Sequence, residues 1–393
     1  MKLTVGSHTI DKFSEVSVSL RYACIGDTFS FKLYFDPTNA AHKSILKPVS
    51  YQHCTISHNG QTLITGRLLS QAFSSSPKKE LTAISGYSTT GVLADNCVFS
   101  TLLQQTGAET IQPNGSLEFA NQSLEQISNR LTSSLNISTC IVDDNVKDEC
   151  SKVYTKIAAS PTQTIEDFLT SMAEHRNVVL SHTVDGRLLY TRSKAEKGSK
   201  TATTLQPIST TPFISDIDGA PAANALSNSI TYFNSKPIFH FEPGQSIWTK
   251  MSMPVNGQKM HSHIHVIGQQ DGGNAIEDLI TNPYVPSNVL RVTRKIQSIG
   301  DDNDTPDTSR TILGSELKAI ALTIEIVGWT LNGKLVRPNQ IITAKNPECY
   351  LYHNTRFFIE QVDYRQTADE QTAVISCVLP EVYNDEDVKN IFN

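Results

Sequence analysis

Strict alternation of apolar and polar residues near the start of the chain constrains its fold more than any other feature. Val16-Ser17-Val18-Ser19-Leu20 and Phe29-Ser30-Phe31-Lys32-Leu33-Tyr34-Phe35 put every second side chain on one face. A period of two belongs to a strand with one buried and one wet face. Asp36-Pro37-Thr38-Asn39 breaks the second run. Asn59-Gly60 then separates two further β-like runs, residues 54–58 and 61–66. Both residues of this pair tolerate positive φ, so a two-residue hairpin is expected there. Residues 81–87 read as another strand.

The period changes between residues 101 and 195. Leu124, Ile127 and Leu131 share one helical face, as do Ile165, Phe168, Leu169 and Met172. The second helix has two candidate caps, Ser160 before Pro161 and Thr164 before Asp167. Ser160 is favoured because proline suits the first helical position. Short strands at 178–182 and 187–191 meet near Asp185-Gly186. Residues 194–200 read as a polar linker. Beyond it β patterning returns at 227–233 and 260–268, then at 323–329, 340–344, 355–364 and 373–379, with a hairpin at Asn332-Gly333. One helix is expected over about 309–321.

The expected fold is therefore mainly β with a small α+β insert. An N-terminal β-barrel domain would occupy 1–100, a small α+β domain 101–195 and a C-terminal β-barrel domain 196–393. At 393 residues the chain exceeds the size at which one core stops growing, roughly 250–300 residues. Hydrophobic content of 38% suffices for such cores. The net charge of -6, with no basic block, argues against a nucleic-acid footprint. Seven cysteines at irregular spacing, without C-x-x-C, read as reduced thiols in a cytosol. The N-terminus has no signal-peptide pattern, and no apolar run approaches the ~20 residues of a membrane span.

Candidate chemistry is sparse. His261, His263 and His265 alternate along one expected strand and so share a face. Three imidazoles form a zinc or iron donor set. Residues at i and i+2 stand about 6–7 Å apart along a strand, however, so one ion seldom takes all three. The competing expectation is a polar strand face at a subunit contact. His240 with Glu242 adds little. The run Asp301 to Asp307 suggests calcium, but Pro306 stands where an EF-hand needs glycine and no glutamate closes the loop. It reads as a solvated acidic loop. Nucleophile-elbow, P-loop and H-E-x-x-H patterns do not occur. No catalytic residue and no cofactor is expected.

Several segments, in order, resemble the Mu-like phage baseplate hub and tail protein family, which includes late control protein D. Residues 165–173, 178–180, 185–188 and 190–192 resemble the family's helix followed by a "gvll–dG–L–ltr" hairpin. Ile267-Gly268-Gln269 is similar to its "v-G-Q" strand end. Residues 327–339 resemble its "GW–dG–LW–pN" segment, with Val336 where an aromatic is usual. Residues 358–362 through Leu379-Pro380 resemble its closing hairpin, and Leu63-Ile64-Thr65-Gly66 fits its N-terminal "v-ltG-yv" pattern.

The resemblance implies a structural, non-enzymatic hub of a contractile tail. Two barrels per chain would be similar to tail-tube subunits. A homotrimer would then present six of them, a pseudo-sixfold ring between the sixfold tube and the threefold spike. Implied partners are the tail tube protein, the central spike protein and baseplate wedge proteins, with DNA only as cargo passing through the channel. The protein would assemble in the host cytoplasm and end in the virion tail. Three alternatives stand beside this reading. One is the hub of a type VI secretion or extracellular contractile injection system, whose hubs usually fuse to a spike; ending at Asn393, this chain is expected to use a separate spike protein. The others are a metal-dependent hydrolase built on His261, His263 and His265, and a carbohydrate-binding tail-tip adhesin.

Overall fold

The computed structural model describes residues 1–75, 81–98, 110–111, 117–192, 236–268, 276–286, 288–297, 304–384 and 387–392. The expected linker 194–200, the strand expected at 227–233, residues 269–273 and residues 301–303 of the acidic run lie outside the described residues.

Seven strands open the chain: β1 (Lys2–Val5), β2 (His8–Ile10), β3 (Glu15–Arg21), β4 (Thr28–Tyr34), β5 (His53–His58), β6 (Gln61–Ala72) and β7 (Leu81–Ser88), with α1 (Ala40–Ile45) after β4. Alternation does what the sequence demands. Val16, Val18, Leu20, Phe29, Phe31 and Leu33 are buried, while the residues between them face outward. The β5–β6 turn carries Asn59 at φ 48° and Gly60 at φ 79°, the geometry of a tight hairpin with both central residues left-handed. Gly86 on β7 permits a close approach of strands. A Cβ there would stand 2.0 Å from the Arg67 carbonyl oxygen and 2.6 Å from the Phe29 ring.

The insert follows. It holds α2 (Val92–Asp95), β8 (Thr110–Ile111), β9 (Leu117–Ser123), α3 (Leu124–Ser133), β10 (Ile141–Val142), α4 (Lys147–Ser151), β11 (Val153–Ala159), α5 (Ile165–His175), β12 (Val179–His182) and β13 (Leu188–Thr191). α3 begins with a reciprocal cap: Ser123 Oγ accepts from Gln126 N at 3.3 Å, and Gln126 Oε1 accepts from Ser123 N at 2.9 Å. Leu124, Ile127 and Leu131 pack with Phe168, Leu169 and Met172 of α5 in a core of their own. The start of α5 differs from the expectation. Thr164, not Ser160, is the cap, with its Oγ1 accepting from Asp167 N at 3.0 Å. Residues 160–163 close a turn instead, and Ile165 N donates to Asn96 O at 2.8 Å. That contact with the segment after α2 draws residue 164 into an isolated bridge with Cys97 and delays the helix.

The last part contains β14 (His240–Phe241), β15 (Trp248–Ser252), β16 (His263–Ile267), β17 (Glu277–Thr281), β18 (Val292–Ile296), α6 (Thr305–Leu317), β19 (Ala321–Val327), β20 (Thr330–Leu331), β21 (Lys334–Leu335), β22 (Ile341–Asn346), β23 (Leu351–Gln366) and β24 (Gln371–Val378). α6 starts earlier than expected, with Pro306 in its first turn, where a missing N–H is harmless. It also stops earlier, because Ala321 is claimed by strand pairing with Val378 of β24. The β20–β21 hairpin holds Asn332 at φ 50° and Gly333 at φ 74°, as its sequence predicts.

One sheet of thirteen strands runs through both β regions in the order β15-β19-β24-β23-β3-β4-β7-β6-β5-β1-β2, with β22 and β14 branching from β23. The join is β23, 16 residues long. Its first half pairs with β22 and its second half with β3, Tyr364 standing opposite Val18. A register shift between Ile359 and Gln361 against β24 separates the two halves. One apolar cluster continues across this join, from Leu3 to Tyr383. The chain is thus mainly β with a small α+β insert. All seven cysteines are unpaired. Among the described residues no helix is long and apolar enough to cross a membrane.

Candidate functional site

The three histidines do not converge. β16 begins at His263, so His261 lies before the strand and does not share the expected face. Its ring Nδ1 stands 2.7 Å from Glu316 Oε1 on α6, and Glu316 Oε2 accepts its backbone N–H at 2.9 Å. His263 Nδ1 meets Ser262 Oγ at 2.9 Å. His265 is held between Glu277 of β17 at 2.8 Å and Arg294 of β18 at 3.1 Å. His240 bonds Thr343 at 2.9 Å, with Glu242 at 3.9 Å. Each imidazole therefore has its own partner.

β16 is the middle strand of a small sheet in the order β17-β16-β18. Ile264 and Val266 are fully buried on the side that packs against α6. Register puts His263, His265 and Ile267 on the other face, beside Leu279 of β17 and Val292, Arg294 and Ile296 of β18. That face is open: Leu279 is 61% exposed and Ile296 71%. Large apolar side chains clustered on an exposed sheet face mark a contact surface more often than a solvated one.

Among the described residues, the one group of three acids close enough to share an ion is Glu149, Asp304 and Asp307. It lies where α6 meets α4 and α5, and cations already occupy it. Lys152 reaches Glu149, and its Nζ is 3.5 Å from Asp304. Arg176, at the end of α5, is 3.9 Å from Asp304. The expected solvated acidic loop is corrected here at its described end: Asp304 is only 2% exposed because it faces Arg176 as α6 begins. Burial, helped by the neighbouring Glu149 charge, pushes the Asp307 carboxyl up to about 6. An acid with a raised folded pKa loses stability as pH rises from its unfolded value, about 3.9, and bears the full cost above the folded value. The favourable helix N-terminus, about 0.3–1 kcal/mol, is outweighed. Asp307→Asn is therefore expected to raise thermal stability at pH 8 by about 1 kcal/mol after discounting for solvent screening, and to change little at pH 4. Melting curves at the two pH values check this.

A cavity of about 220 Å³ opens between α5 and α6. Glu166, Glu174, Arg192 and Lys318 line it, over a floor that includes Val179, Val382 and Tyr383. Two acids and two bases leave it without a net charge to select a ligand. Lys318 is engaged by Glu360 at 2.8 Å. Burial holds the Cys24 thiol at its wall above the usual range, which keeps it protonated and poorly nucleophilic.

No protein-family model and no curated protein sequence matches the chain. Solved structures do: this chain has a fold shared by phage tail proteins and a type VI secretion component. The 43 kDa tail protein of prophage MuSo2 from Shewanella oneidensis superposes with a TM-score of 0.67 at 16% identity, over 97% of this chain and 99% of that one. A tail protein from Neisseria meningitidis gives 0.69 at 14% identity, over 98% of each chain. A component of the E. coli type VI secretion system gives 0.53 at 9% identity, over 100% of this chain and 80% of that one.

Proposed function

We propose that this chain is a structural baseplate hub protein of a contractile phage tail. Three copies form a pseudo-sixfold ring that joins the sixfold tail tube to the threefold central spike. The observation that carries the reading is end-to-end likeness to two tail proteins, matched over 97% and 98% of this chain and 99% and 98% of theirs. The continuous sheet supports it, since β23 joins two β regions of one chain in a single sheet. In this reading residues 1–100 and 196–393 supply the two tube-like units, and 101–195 the insert. Three chains then offer six units, which reconciles a sixfold with a threefold neighbour.

The role is non-enzymatic and needs no cofactor. Glu149 and Asp304 are engaged by Lys152 and Arg176 within the fold. The exposed face around Leu279 and Ile296 suits a contact in an assembly. Partners are other copies of the chain, the tube protein, the spike protein and wedge proteins, with DNA only in transit, and the chain resides in the virion tail. A second reading, hub of a type VI secretion machine, is favoured by the 0.53 superposition on the E. coli component.

Immunogold labelling of an epitope-tagged chain in purified particles tests the proposal. Label is expected at the baseplate end of each tail and nowhere along the tube. Label spread along the tube, or purified tails that lack the chain, would refute it. Label on a host-encoded secretion apparatus would favour the second reading.

A further inference from the structure

We infer that His182 is a charged latch between the α+β insert and the first β region. Its imidazolium clasps Cys24 O and Asp27, seating the insert at neutral and acidic pH and loosening it as the ring deprotonates. The residue ends β12, while Cys24 and Asp27 lie in the β3–β4 connection. Nδ1 stands 2.8 Å from the Cys24 carbonyl oxygen and Nε2 3.0 Å from Asp27 Oδ2. The two side chains are only 5% and 8% exposed. A carbonyl oxygen only accepts, and so does a carboxylate. A neutral ring has one N–H, so either tautomer would press a nitrogen lone pair against an oxygen lone pair. The doubly protonated ring satisfies both. The second Asp27 oxygen, Oδ1, accepts Arg21 N at 2.8 Å.

The surroundings contain few competing charges. On the β3–β4 connection, the Cys24 thiol donates to Gly26 O at 3.1 Å. Glu166 of α5 faces that thiol. In the turn after β12, Asp185 and Arg187 bind each other at 2.9 Å. At the end of β7, Ser88 contributes a hydroxyl, accepting Asp27 N at 2.6 Å. Asp27 is the charged side chain that touches the ring. The same seam also carries uncharged stitches: Ser181 Oγ donates to Tyr22 O, and Thr65 N donates to Val184 O at 3.1 Å. Protonation therefore controls the charged stitch.

Burial lowers the basicity of the ring, but the Asp27 charge and the two hydrogen bonds outweigh it and raise the pKa. The stabilisation is then fully present below the ordinary histidine value of about 6.5. It is lost as pH rises through the higher folded value.

Two measurements on the full chain test the latch. In the first, NMR of labelled histidine is expected to show His182 as an imidazolium at pH 7. In the second, amide exchange is followed from pH 6.5 to 9 and corrected for its intrinsic pH dependence. Residues 179–182 are expected to speed up about tenfold relative to 322–326 of β19. His182→Gln is expected to exchange fast at 179–182 already at pH 6.5, with the pH dependence gone. A neutral His182 ring at pH 7, or exchange at 179–182 that tracks β19 across the range, overturns the proposal. If His182→Gln fails to fold, the wild-type titration and exchange decide alone. Neither readout depends on the hub assignment.

Discussion

Arg176→Met is expected to lower the stability of the protein by about 3–5 kcal/mol, seen as a large drop in the urea midpoint. Arg176 is 1% exposed, and its guanidinium is used from several directions. Nη1 donates to Glu149 O at 3.0 Å and to Lys152 O at 2.7 Å. The guanidinium carbon lies 3.7 Å from the centre of the Tyr154 ring, within cation–π range. The buried Asp304 carboxylate is 3.9 Å away. Methionine keeps the volume but strips two carbonyls of their donor and leaves Asp304 with less compensating charge. Arg176→Lys is expected to rescue little, because an ammonium lacks the planar fork that spans both carbonyls while lying on the ring. A loss below about 1 kcal/mol for the methionine variant would mean that solvent reaches this joint.

Trp329→Ala is expected to cost a similar 3–5 kcal/mol. The indole is 2% exposed. Its Nε1 donates to Thr372 O at 2.9 Å and Arg365 O at 3.1 Å, tying the turn after β19 to the β23–β24 hairpin. Its ring meets Tyr364 edge-on at 5.7 Å and His58 at 5.0 Å. His58 ends β5, so this one side chain touches both β regions. Trp329→Phe retains most of the apolar area and loses the donor, so an intermediate loss is expected. Because one core spans the join at β23, the two β regions are expected to melt together. Separate transitions for them in calorimetry of the tryptophan variant would show that Trp329, and not β23, couples them.

What the sequence disclosed is what is encoded locally. Period-two runs located β3 and β4 because a half-buried strand leaves that trace at every position. Asn59-Gly60 and Asn332-Gly333 announced their hairpins because few other residues accept positive φ twice in succession. The capped, striped α3 was legible for the same reason. Events between distant segments were not. Nothing in 16–21 signals that it pairs with 361–366, and this pairing makes one sheet of two regions. The starts of α5 and α6 moved because Asn96 and Arg176 hold neighbouring residues through contacts remote in sequence. The histidine alternation correctly put His263 and His265 on one face. It failed at His261, whose partner Glu316 lies on a helix packed behind the strand. Burial of the His182–Asp27 and Arg176–Asp304 pairs becomes visible only when both elements of each are placed.

The account turns on assembly, and mass in solution combined with particle images tests it most directly. Native mass measurement of the purified chain should give three times the 43.3 kDa protomer, and negative-stain images should show rings with a central pore. A chain that stays monomeric at high concentration, or that forms a compact dimer without a pore, would contradict the hub.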